Sequence, residues 1–443
     1  MTQSFLPFTA ALLTGLLSHS QPAAAVGISC DPDTRPYSAW MTDSVIARRD
    51  AILGDFTPGD DIYPNISQVT LFESTVTRLK EYYDADSCGQ VDWHSYALDG
   101  AESLLPAVQD VSFIVNAPLT IFASGDVMYH QYDRAPNDTY KQALDNLHDA
   151  FNARTRDSEG AFWYFNPYPN WGVLEGLFPL SSFISMWKTY FDPTNTTLTD
   201  SLTLSLDLFK DHCHDDSSGL LFHGYDSSKT ASWADPTTGA SPYVWNRALG
   251  DWFMTLVDLL ERSGKNSAIL NETQRDDVYT KYWNVANTII NDADEETGCW
   301  WQVMLHGGEE GNYIESSGSA QFVYGLLKGA RLGYLQGETP NGVAYTDAAD
   351  KCYNYLLSEF VKEEADGTLG YNGTVADCGL YDPTFETDEE AESRESREGK
   401  PLSLKPCLSI GSLRGRWGKS LTITQMAMTL SSKRELNYCP ELI

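Results

Sequence analysis

Glu175 and Arg247 are the two side chains whose neighbours in the sequence point most directly to chemistry. Glu175 lies in the stretch 161–187, AFWYFNPYPNWGVLEGLFPLSSFISMW, among Trp171, Val173, Leu174, Leu177 and Phe178. A carboxyl in such apolar company is desolvated, which favours its protonated form and makes it a candidate general acid. Arg247 follows a polar, aromatic loop carrying His223, Tyr225, Asp226, Trp233 and Asp235, which runs up to Ser241-Pro242. From there apolar residues recur at Trp245, Ala248, Leu249, Trp252, Leu256, Leu259 and Leu260, the buried stripe of a helix. Ser241 is its expected N-cap and Pro242 its first residue, so Arg247 falls in the first turns. A cation there opposes the helix dipole and calls for an anionic partner, either a structural carboxylate or one on a substrate. A third junction, residues 300–335, places Glu315 to Ser319 ahead of a helix bearing Ala320, Val323, Tyr324 and Leu327, with Glu315 as a first-turn charge.

These junctions need helices to hold them. Val69, Phe72, Val76, Leu79 and Tyr83 mark one, and Tyr140, Ala143, Leu144, Leu147, Ala150 and Phe151 another. Further helical stretches are expected near 171–190, 198–213, 273–291, 316–335 and 342–361, while strand-like alternation is scarce. Even spacing of such helices predicts one domain of stacked antiparallel pairs, closed in a ring with its loops gathered at one end. The chain has 12 Trp and 24 Tyr, many on those loops, so the mouth is expected to offer aromatic faces to sugar rings. Any single one of these rings is more simply read as core.

Composition narrows the partners. The formal net charge of -32 excludes a phosphate-binding basic face and hence nucleic acid. Residues 1–25 combine an apolar stretch of about a dozen residues with small residues at Ala23 and Ala25, the form of a secretory signal peptide too short to span a bilayer. A secreted, extracellular protein without a membrane anchor is expected. Sequons at Asn65, Asn137, Asn195, Asn271 and Asn372 fit that route and predict glycosylation. Eight cysteines in an exported chain predict disulfides, with the pairing open. His212-Cys213-His214 lacks a second pair at ligand spacing and reads as a helix end rather than a zinc site.

The order FWYFNPYPNWGVLEGLF, HGYD, WADPTTGASPYVWNRALGDW, WQV, GNYIESSGSAQFVYGLLKGARLGYL resembles the unsaturated rhamnogalacturonyl hydrolases of glycoside hydrolase family 105 and their unsaturated glucuronyl relatives, over roughly residues 100–360. The resemblance implies an all-α (α/α)6 barrel and a metal-free, cofactor-free hydrolase. Its substrate would be an oligosaccharide ending in the 4,5-unsaturated uronic acid that polysaccharide lyases leave at the non-reducing end. An acid protonates C4, water adds at C5, and the hemiketal opens to release the remaining chain. The resemblance places Glu175 at the family's catalytic acid/base, normally Asp, His223 at a loop histidine near the substrate, and Trp245 and Arg247 at a W-x-R pair. Such an arginine suits a uronate carboxylate through its planar fork. Trp233 joins this substrate-binding set.

The chain also departs from the pattern. The usual F-W-H-K is Phe162-Trp163-Tyr164-Phe165, putting Tyr164 where an imidazole would line the site. Asp251 replaces the tryptophan expected after Gly250, and a second family carboxylate aligns with Ser112, leaving Asp110 as its stand-in. Asp110, Tyr164 and Asp251 are therefore taken as substrate-binding candidates. The barrel is expected over residues 26–378, an acidic low-complexity disordered segment over 379–402, and an atypical C-terminal segment over 403–443. Two other readings stay open: an ordinary glycosidase with Asp226, Asp110 or Asp251 as a second carboxylate, and a non-catalytic glycan-binding barrel.

Overall fold

Short polar side chains start many of the helices. Asp92 accepts from Ser95 N at 2.8 Å, Asp110 from Ser112 N at 2.8 Å, Asn137 from Tyr140 N at 3.1 Å and Asn195 from Thr197 N at 3.0 Å. Asn271 forms a full capping box with Gln274. The computed structural model describes residues 29–380 apart from 32, 58, 59, 61, 84–87, 89, 90, 265–268 and 376–378. The expected signal peptide, the acidic segment beyond Leu380 and the C-terminal segment lie outside the described residues.

The helices are α1 (Tyr37–Arg48), α2 (Tyr63–Tyr82), α3 (Trp93–Leu104), α4 (Val111–Asn116), α5 (Ser124–Arg134) and α6 (Asp138–Ala153), then α7 (Leu177–Tyr190), α8 (Thr196–Cys213), α9 (Asn246–Arg262), α10 (Glu272–Asp292), α11 (Ser316–Arg331) and α12 (Tyr345–Glu359). Helices α2, α5, α7, α9 and α11 pack side by side in succession. Each carries its partner, α3, α6, α8, α10 or α12, so the all-α ring of antiparallel pairs expected from the periodicity is present. Helix α1 bridges the two ends of this series. It lies on α2, and Arg48 and Ser44 bond to Leu369 in the hairpin that follows α12, β3 (Val361–Glu363) with β4 (Leu369–Tyr371).

α9 is central: Trp252, Phe253, Leu256, Val257, Leu259 and Leu260 are all buried. At its C-terminal end Lys328 meets Asp258 at 2.5 Å and Glu261 at 2.7 Å, and Glu261 also holds Arg78 at 2.6 Å and Arg331 at 2.7 Å. These cations hold the Glu261 carboxyl far below the usual range despite its burial. A helix of 17 residues is about 25 Å long, so this ionic cluster is remote from Arg247 at the other end.

Some sequence expectations are corrected. α9 begins at Asn246 after an N-cap at Trp245, not at Ser241-Pro242. Ser241 is instead consumed by β-type pairing, its N–H donating to Gly224 O at 2.8 Å and its hydroxyl accepting from Gly224 N at 3.2 Å. The stretch beginning at 171 opens as a strand, β1 (Trp171–Val173), and becomes helical only at Leu177. Asn65 is buried within α2, so that sequon is closed to glycan in the folded chain, whereas Asn137 and Asn271 are exposed caps. Cys30–Cys88 and Cys299–Cys352 form disulfides, and Cys213 is a buried thiol at the end of α8. Among the described residues no helix is long and apolar enough to cross a membrane.

Candidate active site

Two short strands bring the first pair of groups together. β1 pairs antiparallel with β2 (Gly224–Asp226), and Val173 opposite Gly224 sets the register. Glu175 sits in the 3-10 turn Leu174–Gly176 just past β1, and His223 just before β2, so both fall at the same end of the ribbon. His223 Nε2 and Glu175 Oε1 are 2.8 Å apart. The backbone locks the pair: His223 O accepts from Leu174 N at 3.2 Å, and His223 N donates to Tyr243 O at 3.0 Å. Gly224 is required here because a Cβ would run into the Gly172 carbonyl and Leu380.

The His223 ring lies parallel to Trp245, with centroids 5.5 Å apart. Trp245, the N-cap of α9, also underlies Arg247, whose guanidinium carbon is 5.1 Å from the indole centroid. Arg247 Nη1 donates to Val375 O at 3.0 Å. One turn further along α9, Asp251 accepts from Gln321 Nε2 at 2.7 Å. Burial first, and then the nearby Glu175 charge, push the Asp251 carboxyl well above the usual carboxylate range, opposed by Arg247 and the Gln321 bond. Glu175, His223, Trp245, Arg247 and Asp251 are thus linked by contact or by field.

Buried polar atoms are normally hydrogen-bonded. Of the groups named above and on the aromatic loop, Glu175 Oε2, Trp233 Nε1, Trp245 Nε1 and Gln321 Oε1 have no partner among the described residues. That is the donor and acceptor set of a site for a polar ligand. Trp233 packs edge-on against Trp171 at 5.0 Å, and Trp171 stacks on Tyr168 at 4.9 Å, giving the half-buried aromatic wall expected from the loops.

Other candidates have structural roles. Asp110 is exposed and caps α4. Tyr164 is buried, and its ring would be 2.9 Å from any Cβ at Gly176, so it packs beneath the Glu175 turn instead of lining the mouth. It occupies core because no charge at that position draws the side chain toward water. Asp226 is buried and accepts from Ser228 N and Oγ, Thr230 N and Ala231 N, which hold its carboxyl below the usual range despite burial and fix the 226–231 loop. Asp235 is an exposed turn former bonded to Thr237 N and Thr238 N. Gln321 and the Val375 carbonyl escaped the sequence reading. Gln321 lies within the GNYIESSGSAQFVYGLL stretch but was not singled out there because it is an uncharged amide in a helix stripe, and a backbone carbonyl leaves no trace in a sequence. His212 closes α8 and bonds to Glu159 at 2.9 Å. Among the described residues no His, Cys, Asp and Glu cluster could hold a metal ion.

Comparison with known proteins agrees with this picture. The profile described as Glycosyl Hydrolase Family 88 matches residues 92–395. The 24.9 kDa protein in the picA locus of Rhizobium radiobacter is 37% identical over 165 residues, 37% of this chain and 67% of that protein. In three dimensions the chain is similar to a family 105 glycoside hydrolase of C. acetobutylicum, with TM-score 0.70, 23% identity, and 90% of this chain and 99% of that one covered. It is also similar to an unsaturated glucuronyl hydrolase responsible for the degradation of glycosaminoglycan from a Bacillus species, with TM-score 0.57, 12% identity, and 88% and 94% covered. These likenesses carry the six-hairpin (α/α)6 fold.

Proposed function

Because the chain belongs to Glycosyl Hydrolase Family 88, and so is a glycoside hydrolase, we propose that it releases a 4,5-unsaturated uronic acid from the non-reducing end of lyase-generated oligosaccharides of the pectin rhamnogalacturonan or glucuronyl type. The observation that carries this reading is the pairing of Glu175 with His223 at 2.8 Å, beside an arginine stacked on Trp245.

In this reading Glu175 acts as the general acid and donates a proton to C4 of the enol ether. The oxocarbenium charge that develops at C5 is met by the regenerated carboxylate. The same carboxylate then takes a proton from the water that adds at C5. The resulting hemiketal opens and expels the sugar chain as an alcohol, so one water is consumed and Glu175 ends as it began. His223, held by Trp245 and the Tyr243 carbonyl, orients the carboxyl. Arg247 keeps Nη2 and Nε for the uronate carboxylate, an arrangement that answers the net charge of -32 with one local cation. Trp233 and Trp171 supply apolar faces for a sugar ring. No step requires a metal or organic cofactor.

A second reading has one observation in its favour. Asp251, bonded to Gln321 one turn beyond Arg247, is raised first by burial and then by the Glu175 charge, a division of carboxyls that suits acid and base roles in ordinary hydrolysis of a saturated uronide or neutral sugar. Loss of the ultraviolet absorbance of an unsaturated uronide separates the readings. Wild type should consume it and Glu175→Gln should not. Unchanged absorbance across rhamnogalacturonan, glucuronan and glycosaminoglycan lyase products would overturn the first reading. Action outside the cell is part of the proposal, supported by the signal-like composition of residues 1–25 and by two disulfides that suit an oxidising compartment.

A further inference from the structure

Glu315 is an unusual helix cap. Ser, Thr, Asp and Asn are the residues that ordinarily reach back to the first turn of a helix, and their short side chains are sufficient for it. Glu315 performs that task for α11, accepting from Ser317 N at 3.2 Å, Ser317 Oγ at 2.7 Å and Gly318 N at 2.8 Å. Its longer side chain also accepts from Val375 N at 3.1 Å, a donor 60 residues further along the chain. The side chain is fully buried and faces no cation in these contacts, so its oxygens are met by donors at the start of α11 and on Val375.

Val375 is held on its other side as well, because its carbonyl accepts from Arg247. The strap 371–375 is further fastened to the start of α11: Tyr371 Oη donates to Ser316 O at 3.1 Å, Ser316 N donates to Gly373 O at 2.9 Å, and Ser316 Oγ lies 3.0 Å from Thr374 Oγ1. Close packing permits this, since any Cβ at Gly318 would meet Asn246 and the Arg247 backbone at 2.6 to 2.7 Å. Arg247 is therefore fixed by two surfaces, the Trp245 indole and a carbonyl on the strap.

We propose that Glu315 is a positioning residue for substrate charge: by gripping Val375 it sets the carbonyl that aims the Arg247 guanidinium, and so determines selectivity for an acidic terminal sugar. The proposal rests on the reading of Arg247 as the uronate receptor. Length, not charge, is the property Glu315 contributes beyond capping. An aspartate in its place would still cap α11 but would fall about one bond length short of Val375 N.

The test compares wild type, Glu315→Asp, Arg247→Ala and the double variant. It uses an unsaturated uronyl disaccharide, with turnover followed by ultraviolet absorbance and with glucuronate and glucose titrated by calorimetry. Glu315→Asp is expected to raise KM about tenfold with kcat within about threefold, to lower the melting temperature by no more than a few degrees for the one bond removed, and to lose preference for glucuronate over glucose. In the Arg247→Ala background the same substitution should change kcat/KM less than about twofold, because its effect runs through Arg247. Equal losses in both backgrounds, a fall in kcat without a rise in KM, or unchanged kinetics would overturn the proposal and leave the parent reading standing. A wild type that neither turns over the disaccharide nor prefers glucuronate would instead remove the parent reading, and this inference with it. Should Glu315→Asp melt early, Tyr371→Phe, which loosens the strap without touching the cap, must reproduce the KM effect or the proposal fails.

Discussion

Shortening Glu175 to aspartate is the sharpest probe of the site. The substitution installs the residue expected at this position from the family resemblance, yet in this chain it should be harmful. The Oε1 to His223 Nε2 distance is 2.8 Å. Removing one methylene draws the carboxyl back by about 1.5 Å, which opens the contact to about 4 Å and beyond hydrogen-bond reach. The ring cannot follow, because it is fixed parallel to Trp245 and its backbone is bonded to Leu174 and Tyr243. Leaving a buried hydrogen-bonding group without its partner costs about 1–3 kcal/mol, so kcat should fall roughly 10- to 100-fold, in line with the penalty of about a hundredfold for a 1 Å misplacement. Glu175→Gln, which has no proton to transfer, should lose about 10²- to 10⁴-fold. Initial rates of absorbance loss from an unsaturated uronyl disaccharide measure both. In a His223→Ala background the Asp variant should cost much less, because the contact it breaks is already gone. An Asp variant within about threefold of wild type, or a Gln variant retaining more than about a tenth of the activity, would refute the assignment of Glu175 as the proton donor seated by His223.

Arg247→Lys should raise KM about 10-fold or more with a smaller change in kcat, since a point charge replaces a planar fork; steady-state kinetics on acidic and neutral substrates check it. Glu261→Ala leaves Lys328, Arg78 and Arg331 without their shared anion and should destabilise the protein by about 3–5 kcal/mol in denaturant titration. Burial pushes the Asp292 carboxyl up to about 7, and its Oδ2 has no partner. A raised carboxylate pKa means that the folded state holds the proton longer. Wild-type stability should therefore fall as pH rises from about 4 to about 7, and Asp292→Asn should flatten that fall in melts across the range. Replacing Cys299 and Cys352 by serine opens a link spanning 53 residues and should cost about 4 kcal/mol in the loop-entropy account, read by calorimetry.

Helix identity was legible in the chain wherever an apolar stripe ran for several turns. α6, α9 and α10 carry the 3.6-residue recurrence, and each buries the residues that recurrence selects, whereas α7 is buried on nearly every side. Boundaries were less legible. Ser241-Pro242 has the chemistry of a helix start, but pairing with Gly224 gave those backbone groups a competing partner and moved the start to Asn246. The same limit applies to the carboxylates. Asp226 and Asp110 are equally plausible second carboxylates on paper, and only the donors around each show that they hold a loop and a helix end.

What the sequence alone determined was the set of parts: an all-α ring, a carboxyl in apolar surroundings, and an arginine at the start of the central helix. Those follow from periodicity and composition, which are local properties. What only the tertiary structure decided was their mutual placement. A three-residue ribbon joins Glu175 to His223 across 48 positions, a packed helix pair sets Gln321 on Asp251 across 70, and a strap brings the Val375 carbonyl to Arg247 across 128. Each of these contacts forms because backbone pairing or core packing elsewhere leaves no other position for the side chain, and that constraint is not written at either residue.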